Sequence, residues 1–209
     1  DMDALDDLVF ISGADSLGVA FADGFRGMRS SPRIFVGGLL SDIALRDLDT
    51  DGRGDVVLLD CATSTVVVLR SLGTGLFAAP VRYAVGDANS FPAGLVLGDV
   101  DTDGFIDLVV SNARDRNANE MATVTVWYND HFGGFVDRAD LQTGPFGGRL
   151  ALGDVDGNGT LDLGVANGRG WLNGFLGSGV SVMLNTSPSP PTATAPQLAN
   201  LATFAIPQV

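Results

Sequence analysis

The sequence contains no lysine, a single glutamate and a single histidine, and each scarcity argues against a class of function. Twelve basic residues, all arginine, face 25 acidic residues, and the net charge is −13. Nucleic acids require a basic surface, so this balance argues against a nucleic-acid partner. Because His131 has no second imidazole to work with, a Ser–His–Asp or Cys–His pair could be built only around it. We therefore predict a protein that is not an enzyme, with His131 in a solvated loop.

Cysteine and long apolar runs are also scarce. The one cysteine, Cys61, cannot form an internal disulfide, and we expect a buried, inert thiol. The apolar runs have the length of β-strands, so the sequence predicts no membrane span. Stability must then come from packing and from any bound metal.

What the sequence does contain is a nine-residue acidic loop in three copies, Asp47–Asp55, Asp99–Asp107 and Asp154–Asp162. Oxygen-bearing side chains occupy positions 1, 3, 5 and 9 of each loop, and glycine occupies position 6. Carboxylates this close repel one another unless a cation lies between them. Calcium suits such a cluster because it accepts six to eight oxygen ligands in loose geometry.

We therefore predict about three Ca²⁺ sites, in which position 7 contributes its backbone carbonyl. The predicted ligands are Asp47, Asp49, Asp51, Arg53 and Asp55; Asp99, Asp101, Asp103, Phe105 and Asp107; and Asp154, Asp156, Asn158, Thr160 and Asp162. An EF-hand would need glutamate at position 12 and flanking helices, whereas these loops have leucine or valine there and precede strands. The alternative is a set of metal-free turns rich in Asp, Asn and Gly.

A fourth, incomplete loop opens the chain. Aligned on the closing aspartate, Asp1 takes position 3, Asp3 position 5 and Asp7 position 9, while Ala4 replaces the glycine. Position 1 has no counterpart, so we predict a weak or empty metal site.

The closing aspartates Asp7, Asp55, Asp107 and Asp162 are 48, 52 and 55 residues apart. Periods near 50 are typical of propellers and other repeat arrays. One unit is predicted to hold strands at about Leu95–Leu97, Leu108–Ser111, Thr123–Tyr128 and Phe135–Ala139. We predict an all-β fold of propeller-type blades of four antiparallel strands, about 3.5 blades in all, two complete and two incomplete. The predicted repeats span roughly 1–40, 41–90, 91–145 and 146–185.

With these loops the chain resembles the FG-GAP/VCBS repeat family, the calcium-loop β-propeller repeats also found in integrin α-subunit heads. Gly98-Asp99 and Gly153-Asp154 fit its pattern, as do glycine-rich turns before Phe77 and Phe135. The resemblance covers about residues 1–187 and implies a propeller fold and bound calcium. It implies function only weakly, because the family spans adhesins, enzyme-attached modules and many uncharacterised secreted proteins. Calcium is millimolar outside cells, so we expect a secreted or cell-surface protein.

The chain divides into a repeat domain (1–185), a Pro/Thr/Ser linker (186–196) and an apolar tail (197–209). We expect the tail to dock as a strand, either on its own last blade or on the next protomer. In the second case copies would join head to tail, and a contact of this kind that does not close produces a filament. The blades could form a closed ring, an open arc or part of a longer array, or be completed by neighbouring copies.

These features favour a structural or adhesive extracellular protein, with copies of itself or another extracellular protein or glycan as partner. The alternative is a carbohydrate- or protein-ligand recognition module of a larger secreted protein or enzyme. Trp171, in a glycine-rich insertion, is the candidate ligand surface for that role. Candidate glycosylation positions are Asn185, Thr186, Thr192 and Thr194.

Overall fold

The computed structural model describes residues 3, 5–86, 90–114, 122–144, 147–172, 175–186 and 198–205. For residues 114, 168–172, 175–178 and 198–205 it describes the backbone alone. The described residues form β-strands, turns and bends and contain no helix, as the sequence predicts. No part of this described structure is a helix long and apolar enough to cross a membrane.

Four four-stranded antiparallel sheets follow one another along the chain. The first contains β1 (Leu8–Ile11), β2 (Ser16–Ala22), β3 (Met28–Ser30) and β4 (Ile34–Phe35). The second contains β5 (Leu40–Arg46), β6 (Asp55–Asp60), β7 (Thr65–Leu69) and β10 (Val81–Ala84), and carries the small ribbon β8 (Ser71–Gly73) with β9 (Leu76–Phe77). The third contains β11 (Ser90–Gly98), β12 (Asp107–Arg114), β13 (Thr123–Asn129) and β14 (Phe135–Gln142). The fourth contains β15 (Gly147–Gly153), β16 (Asp162–Leu172), β17 (Phe175–Asn185) and β18 (Leu198–Ala205).

Three apolar clusters lie at the junctions between consecutive sheets. One joins Leu17 and Val36 of the first sheet region to Val56 and Leu58 of the second. The next two join the second sheet to the third and the third to the fourth. A strand such as Val66-Val67-Val68-Leu69 is buried on both faces because each face contacts a different neighbouring sheet.

The three acidic loops occupy the same place in successive sheets. Each joins the first and second strands, as in the connection from β5 to β6, and the strand that follows begins at the closing aspartate. This shared topology places a metal-binding candidate at the equivalent end of three sheets.

Several elements differ from the sequence prediction. The sequence does not predict β3 or the ribbon β8–β9, and β16 and β17 extend beyond the strands that it predicts at Asp162–Ala166 and Val180–Leu184. Residues 198–205 form β18, which pairs antiparallel with β17 of the same chain. Cys61 was predicted to be buried within a strand, but it lies in the turn after β6 and is half-buried, with its sulfur near the Ser41 hydroxyl and the Pro92 carbonyl.

Candidate metal centre

The backbone of each acidic loop curls through two left-handed residues. Glycine at position 6 has φ between 82° and 92° in the three loops, as the sequence predicts. Position 4 is left-handed as well, and in the first two loops it is a threonine, Thr50 and Thr102. The third loop has Gly157 at this position, with φ 78°. The threonines adopt a conformation that is costly for a β-branched residue, a feature that the sequence pattern did not reveal.

Position 1 stabilises this turn by accepting backbone hydrogen bonds. In the second loop, Asp99 Oδ1 accepts from the Asp103 amide at 3.1 Å and Asp99 Oδ2 from the Gly104 amide at 3.0 Å. Asp47 and Asp154 accept the equivalent bonds from the amides of positions 5 and 6 in the other two loops. The first aspartate therefore holds the curve of the loop through hydrogen bonds to the loop's own backbone.

The aspartates at positions 1, 3 and 9 converge in all three loops. Each set offers three carboxylate oxygens that lie within 4.8 Å of one another: Asp47, Asp49 and Asp55; Asp99, Asp101 and Asp107; Asp154, Asp156 and Asp162. Position 5 stands outside these sets, and its Oδ1 accepts the backbone amide of position 7, as Asp103 does from Phe105 at 2.8 Å. The carbonyls of Arg53, Phe105 and Thr160 and the ligand role of Asp51, Asp103 and Asn158 stay predictions.

The closing aspartate is fully buried in each loop and connects two parts of the sheet. Asp107 Oδ2 accepts from the Val100 amide at 2.9 Å, and Asp107 Oδ1 from the Asn129 amide at 2.9 Å. Asp55 and Asp162 make the same pair of bonds, to position 2 of the loop and to the residue that ends or follows the third strand. Asp7, the closing aspartate of the incomplete loop, accepts one such bond, from the Ala22 amide at 3.0 Å. This residue therefore has a structural role that the metal-ligand pattern did not predict.

Burial and like charge make the second loop electrostatically costly. Burial raises the pKa of Asp107 to about 7, although its two backbone hydrogen bonds oppose the shift. Burial and the neighbouring Asp103 carboxylate raise the pKa of Asp101 to about 6. Burial also raises the pKa of Asp55 in the first loop. The folded protein thus disfavours the charged form of these carboxylates, and a bound cation would favour it.

Two arginines supply positive charge to the first loop. Arg70 forms an ion pair with Asp49 at position 3, and Arg53 forms one with Asp51 at position 5. The second oxygen of Asp49 is buried and has no hydrogen-bond partner. An unpaired buried carboxylate oxygen inside a convergent acidic set is the kind of atom that a cation would ligate.

The second loop has His131 in place of the arginines. His131 Nε2 lies 2.7 Å from Asp103 Oδ2, and the imidazole stacks on Phe105 with ring centroids 4.3 Å apart. We expected a solvated loop histidine. Its side chain is indeed 55% exposed, but it contacts a predicted metal ligand.

Two buried asparagines link one loop to the next: Asn129, which the sequence pattern does not single out, and Asn185, which it marks only as a candidate glycosylation site. Asn129 Nδ2 donates to the Leu48 carbonyl of the first loop and to the Ile106 carbonyl of the second, each at 3.0 Å. Asn185 Nδ2 donates to the Val100 carbonyl of the second loop at 2.7 Å and to the Leu161 carbonyl of the third. Both asparagines directly follow a hydrophobic third-strand residue, but their partners in the preceding loop are more than 80 residues away.

Some of the remaining predicted site residues are described by the structure, and the others are not. Asn185 is fully buried with its amide engaged, so a glycan there would not fit this fold, whereas Thr186 is exposed. Asp3 accepts the Leu5 amide at 2.9 Å. Asp1, Thr192, Thr194 and the Trp171 side chain lie outside the described residues.

Successive four-stranded antiparallel sheets, with an acidic loop between the first two strands of three of them, define an all-β repeat protein whose carboxylate clusters could hold metal ions. Residues 47–110 match the model of the FG-GAP-like repeat. The resemblance to this family is therefore confirmed over the first two complete loops and the strands between them. A search of curated proteins finds no match.

The FG-GAP repeat fits a β-propeller and is a non-enzymatic repeat domain. Such repeats are typically extracellular, and they often bind calcium. This family description agrees with the coarse class that the sequence predicts.

Proposed function

We propose that this protein is an extracellular calcium-binding repeat protein with a structural or adhesive role. The observation that carries the proposal is the threefold convergence of position 1, 3 and 9 carboxylates at the same end of successive sheets. Each loop connects strands that pack into the inter-sheet clusters, so a cation bound there would hold two strands together. The role of calcium would then be to cancel the repulsion in each loop and to hold the hairpin of the first and second strands.

The donor sets fit calcium better than magnesium. Three carboxylates per loop, with a fourth carboxylate or an amide at position 5, provide oxygen ligands in a flexible turn. Magnesium demands near-ideal octahedral geometry and retains several waters. The unpaired oxygen of Asp49 and the raised pKa values of Asp101 and Asp107 support a divalent cation as the missing countercharge. Three bound Ca²⁺ would reduce the net charge from −13 to −7.

The test is isothermal titration of chelator-treated protein with Ca²⁺ and, separately, with Mg²⁺. We expect about three equivalents of Ca²⁺, weaker binding of Mg²⁺, and two equivalents of Ca²⁺ for Asp154→Ala. Asp137→Ala, an exposed aspartate of β14, is the matched control and should retain all sites. Absence of calcium binding, together with an unchanged melting temperature in millimolar Ca²⁺, would overturn the proposal.

Head-to-tail assembly through the C-terminal strand remains part of this proposed role. Because β18 pairs with β17 of its own chain, a filament made in this way requires β18 to move to the β17 of another copy. Electron microscopy in millimolar Ca²⁺ should then show filaments for the full chain and discrete particles for a chain ending at Thr186. Particles in both samples would exclude strand exchange.

Ligand recognition is the alternative function, and the β16–β17 hairpin is the observation that favours it. Its pairing continues through Trp171 opposite Leu176 to Leu172 opposite Phe175, beyond the bulge after Asn167. Binding on a glycan array that is lost in Trp171→Ala would support this function. An array without bound glycans would leave the structural role as the better account.

A further inference from the structure

We propose that two buried asparagines couple neighbouring metal loops, so that calcium bound at one loop favours calcium binding at the next. Asn129 couples the first loop to the second, and Asn185 couples the second loop to the third. This inference rests on the calcium binding proposed above. It adds a property that three separate sites do not have, which is cooperativity between the sites.

Asn129 uses both hydrogens of its side-chain amide, one on each of two loops. The residue is 6% exposed, and its Nδ2 lies 3.0 Å from the Leu48 carbonyl of the first loop and 3.0 Å from the Ile106 carbonyl of the second. A carboxamide nitrogen has two hydrogens, so these two bonds use its full donor capacity. The backbone amide of Asn129 also donates to the closing Asp107 of the second loop at 2.9 Å. One residue is therefore tied to two metal-binding candidates at once.

The two carbonyls that Asn129 holds each precede a predicted metal ligand. The Leu48 carbonyl belongs to the peptide group that leads to Asp49, at position 3 of the first loop. The Ile106 carbonyl belongs to the peptide group that leads to Asp107, at position 9 of the second loop. Both aspartates are members of the convergent carboxylate sets. The Asn129 amide therefore fixes the backbone directly beside one converging carboxylate in each loop.

Asn185 repeats this arrangement one sheet further along the chain. It is fully buried, and its Nδ2 lies 2.7 Å from the Val100 carbonyl of the second loop and 3.4 Å from the Leu161 carbonyl of the third. These carbonyls precede Asp101 and Asp162, which again belong to the convergent sets. The second loop is thus held by both asparagines, and the first and third loops by one each.

The sign of the coupling follows from the order that an ion imposes on the loop backbone. An ion that draws in the carboxylates at positions 3 and 9 fixes the peptide groups beside them, and these peptide groups hold the shared asparagine. The neighbouring loop then loses less conformational freedom when it binds its own ion. Charge acts in the opposite direction, because the first Ca²⁺ reduces the negative charge that attracts the second, but 0.15 M salt screens this effect beyond about 8 Å. In such salt we expect ordering to prevail, with positive cooperativity.

The second sheet has a serine, Ser71, where the third has Asn129, and this supplies a matched substitution. The Ser71 amide donates to the closing aspartate of its own loop at 2.8 Å, and Ser71 Oγ accepts from the Gly73 amide at 3.3 Å. Asn129 Oδ1 likewise accepts from the amide two residues further on, that of His131, at 2.8 Å. Asn129→Ser should therefore preserve the acceptor of the turn while it removes both amide donors.

The test is calorimetric titration with Ca²⁺, in 0.15 M salt, of full-length variants that retain one or two loops. Asp49→Ala, Asp101→Ala and Asp156→Ala each disable one loop at position 3. The coupling factor is the overall binding constant of a two-site protein divided by the product of the two single-site constants. For the first and second loops we expect a factor of about five or more, and a factor near one after Asn129→Ser. Asn185→Ser is the matched control, because it should leave this factor unchanged and abolish the factor for the second and third loops.

Amide hydrogen exchange in chelator provides a readout that needs no bound metal. Asn129→Ser should speed exchange in residues 47–55 and 99–107 and leave residues 154–162 unchanged. Asn185→Ser should instead speed exchange in the second and third loops and leave the first unchanged. A uniform increase in all three loops would mean that the asparagines only stabilise the fold, and the pairwise assignment would be wrong.

The outcomes distinguish the coupling from the calcium binding on which it rests. A factor near one in the two-site proteins would overturn the coupling, even if a serine variant failed to fold. A factor that survives Asn129→Ser would show that this amide does not carry it. In both cases the single-site proteins would still bind Ca²⁺, whereas the proposed function fails if they bind none.

Discussion

The loops Asp47–Asp55 and Asp99–Asp107 have the same four aspartates at positions 1, 3, 5 and 9, but the protein neutralises them differently. Arg70 and Arg53 form ion pairs in the first loop. In the second loop, His131 is the basic side chain that makes an ion-pair contact within the described part of the chain. The pKa of Asp101, at position 3 of the second loop, is raised to about 6 by burial and by Asp103. The need of a loop for a cation is therefore set by the basic side chains beside its aspartates as well as by the aspartates themselves.

The difference between the two loops should disappear at their closing aspartates, where substitution is expected to cause the largest loss of stability. We predict that Asp55→Ala and Asp107→Ala each lower the free energy of unfolding by about 3 kcal/mol, because each leaves two backbone amides without their acceptor in a buried site. The loss should occur in chelator and be larger in calcium, because the closing aspartate is also a predicted metal ligand. Urea denaturation measures it, with Asp137→Ala as the exposed control. A loss confined to calcium would show that the closing aspartate acts as a metal ligand alone.

At position 5, substitution should lower stability by different amounts in the two loops. We predict that Asp103→Ala removes about 1.4 kcal/mol of stability in 1 mM calcium, which is the contribution of a site with a dissociation constant of about 0.1 mM. Asp51→Ala should remove less, because Arg53 already supplies positive charge to the Asp51 carboxylate. Thermal melts of both variants with calcium and with chelator measure the difference. Equal losses in chelator would count against a metal role for these residues.

Removal of an arginine should make the first loop behave like the second. We predict that Arg70→Ala lowers stability in chelator by about 0.5 kcal/mol and strengthens calcium binding at the first loop several-fold, because Asp49 loses its internal countercharge. Arg46→Ala is the control, since its guanidinium bonds to the carbonyl of Leu45 on an exposed surface. Calorimetric titration measures the affinity. An unchanged affinity would mean that the arginine does not compete with the ion.

Local patterns were sufficient to predict most strands and all three complete loops. Runs such as Val56–Leu59 have strong β propensity, and the spacing of the aspartates fixes their convergence on one turn. The left-handed glycine at position 6 follows from the same local geometry. These features depend on residues that are near one another in sequence.

Long-range partners could not be predicted in this way. The Asn129 amide contacts a carbonyl 81 residues away, and Arg70 reaches across 21 residues to Asp49. Such contacts depend on how sheets pack, which the spacing of one motif does not specify. The same limitation explains why Asp55, Asp107 and Asp162 were interpreted as metal ligands alone, although each also holds two segments of backbone.

The pH dependence of the metal-free protein gives the most selective test of the comparison. A carboxyl whose folded-state pKa lies above its unfolded value binds more protons in the folded protein, so stability falls as pH rises between the two values. For Asp101 and Asp107 these limits run from 3.8 to about 6 and about 7. We therefore predict that in chelator the free energy of unfolding decreases from pH 5 to pH 8.

Calcium should reverse this trend, because it binds the ionised carboxylates and gains affinity as they lose their protons. Asp101→Asn should make the profile in chelator shallower, since it removes one of the two carboxylates whose charged form burial disfavours, while Asp107 remains. Asp49→Asn is the same substitution at the same position of the first loop, where Arg70 already pairs with the carboxylate, and it should leave the profile nearly unchanged. Urea denaturation at four pH values between 5 and 8 measures all three proteins. A stability that rises with pH in chelator would mean that the second loop is already neutralised by groups other than a metal, and the contrast between the two loops would be lost.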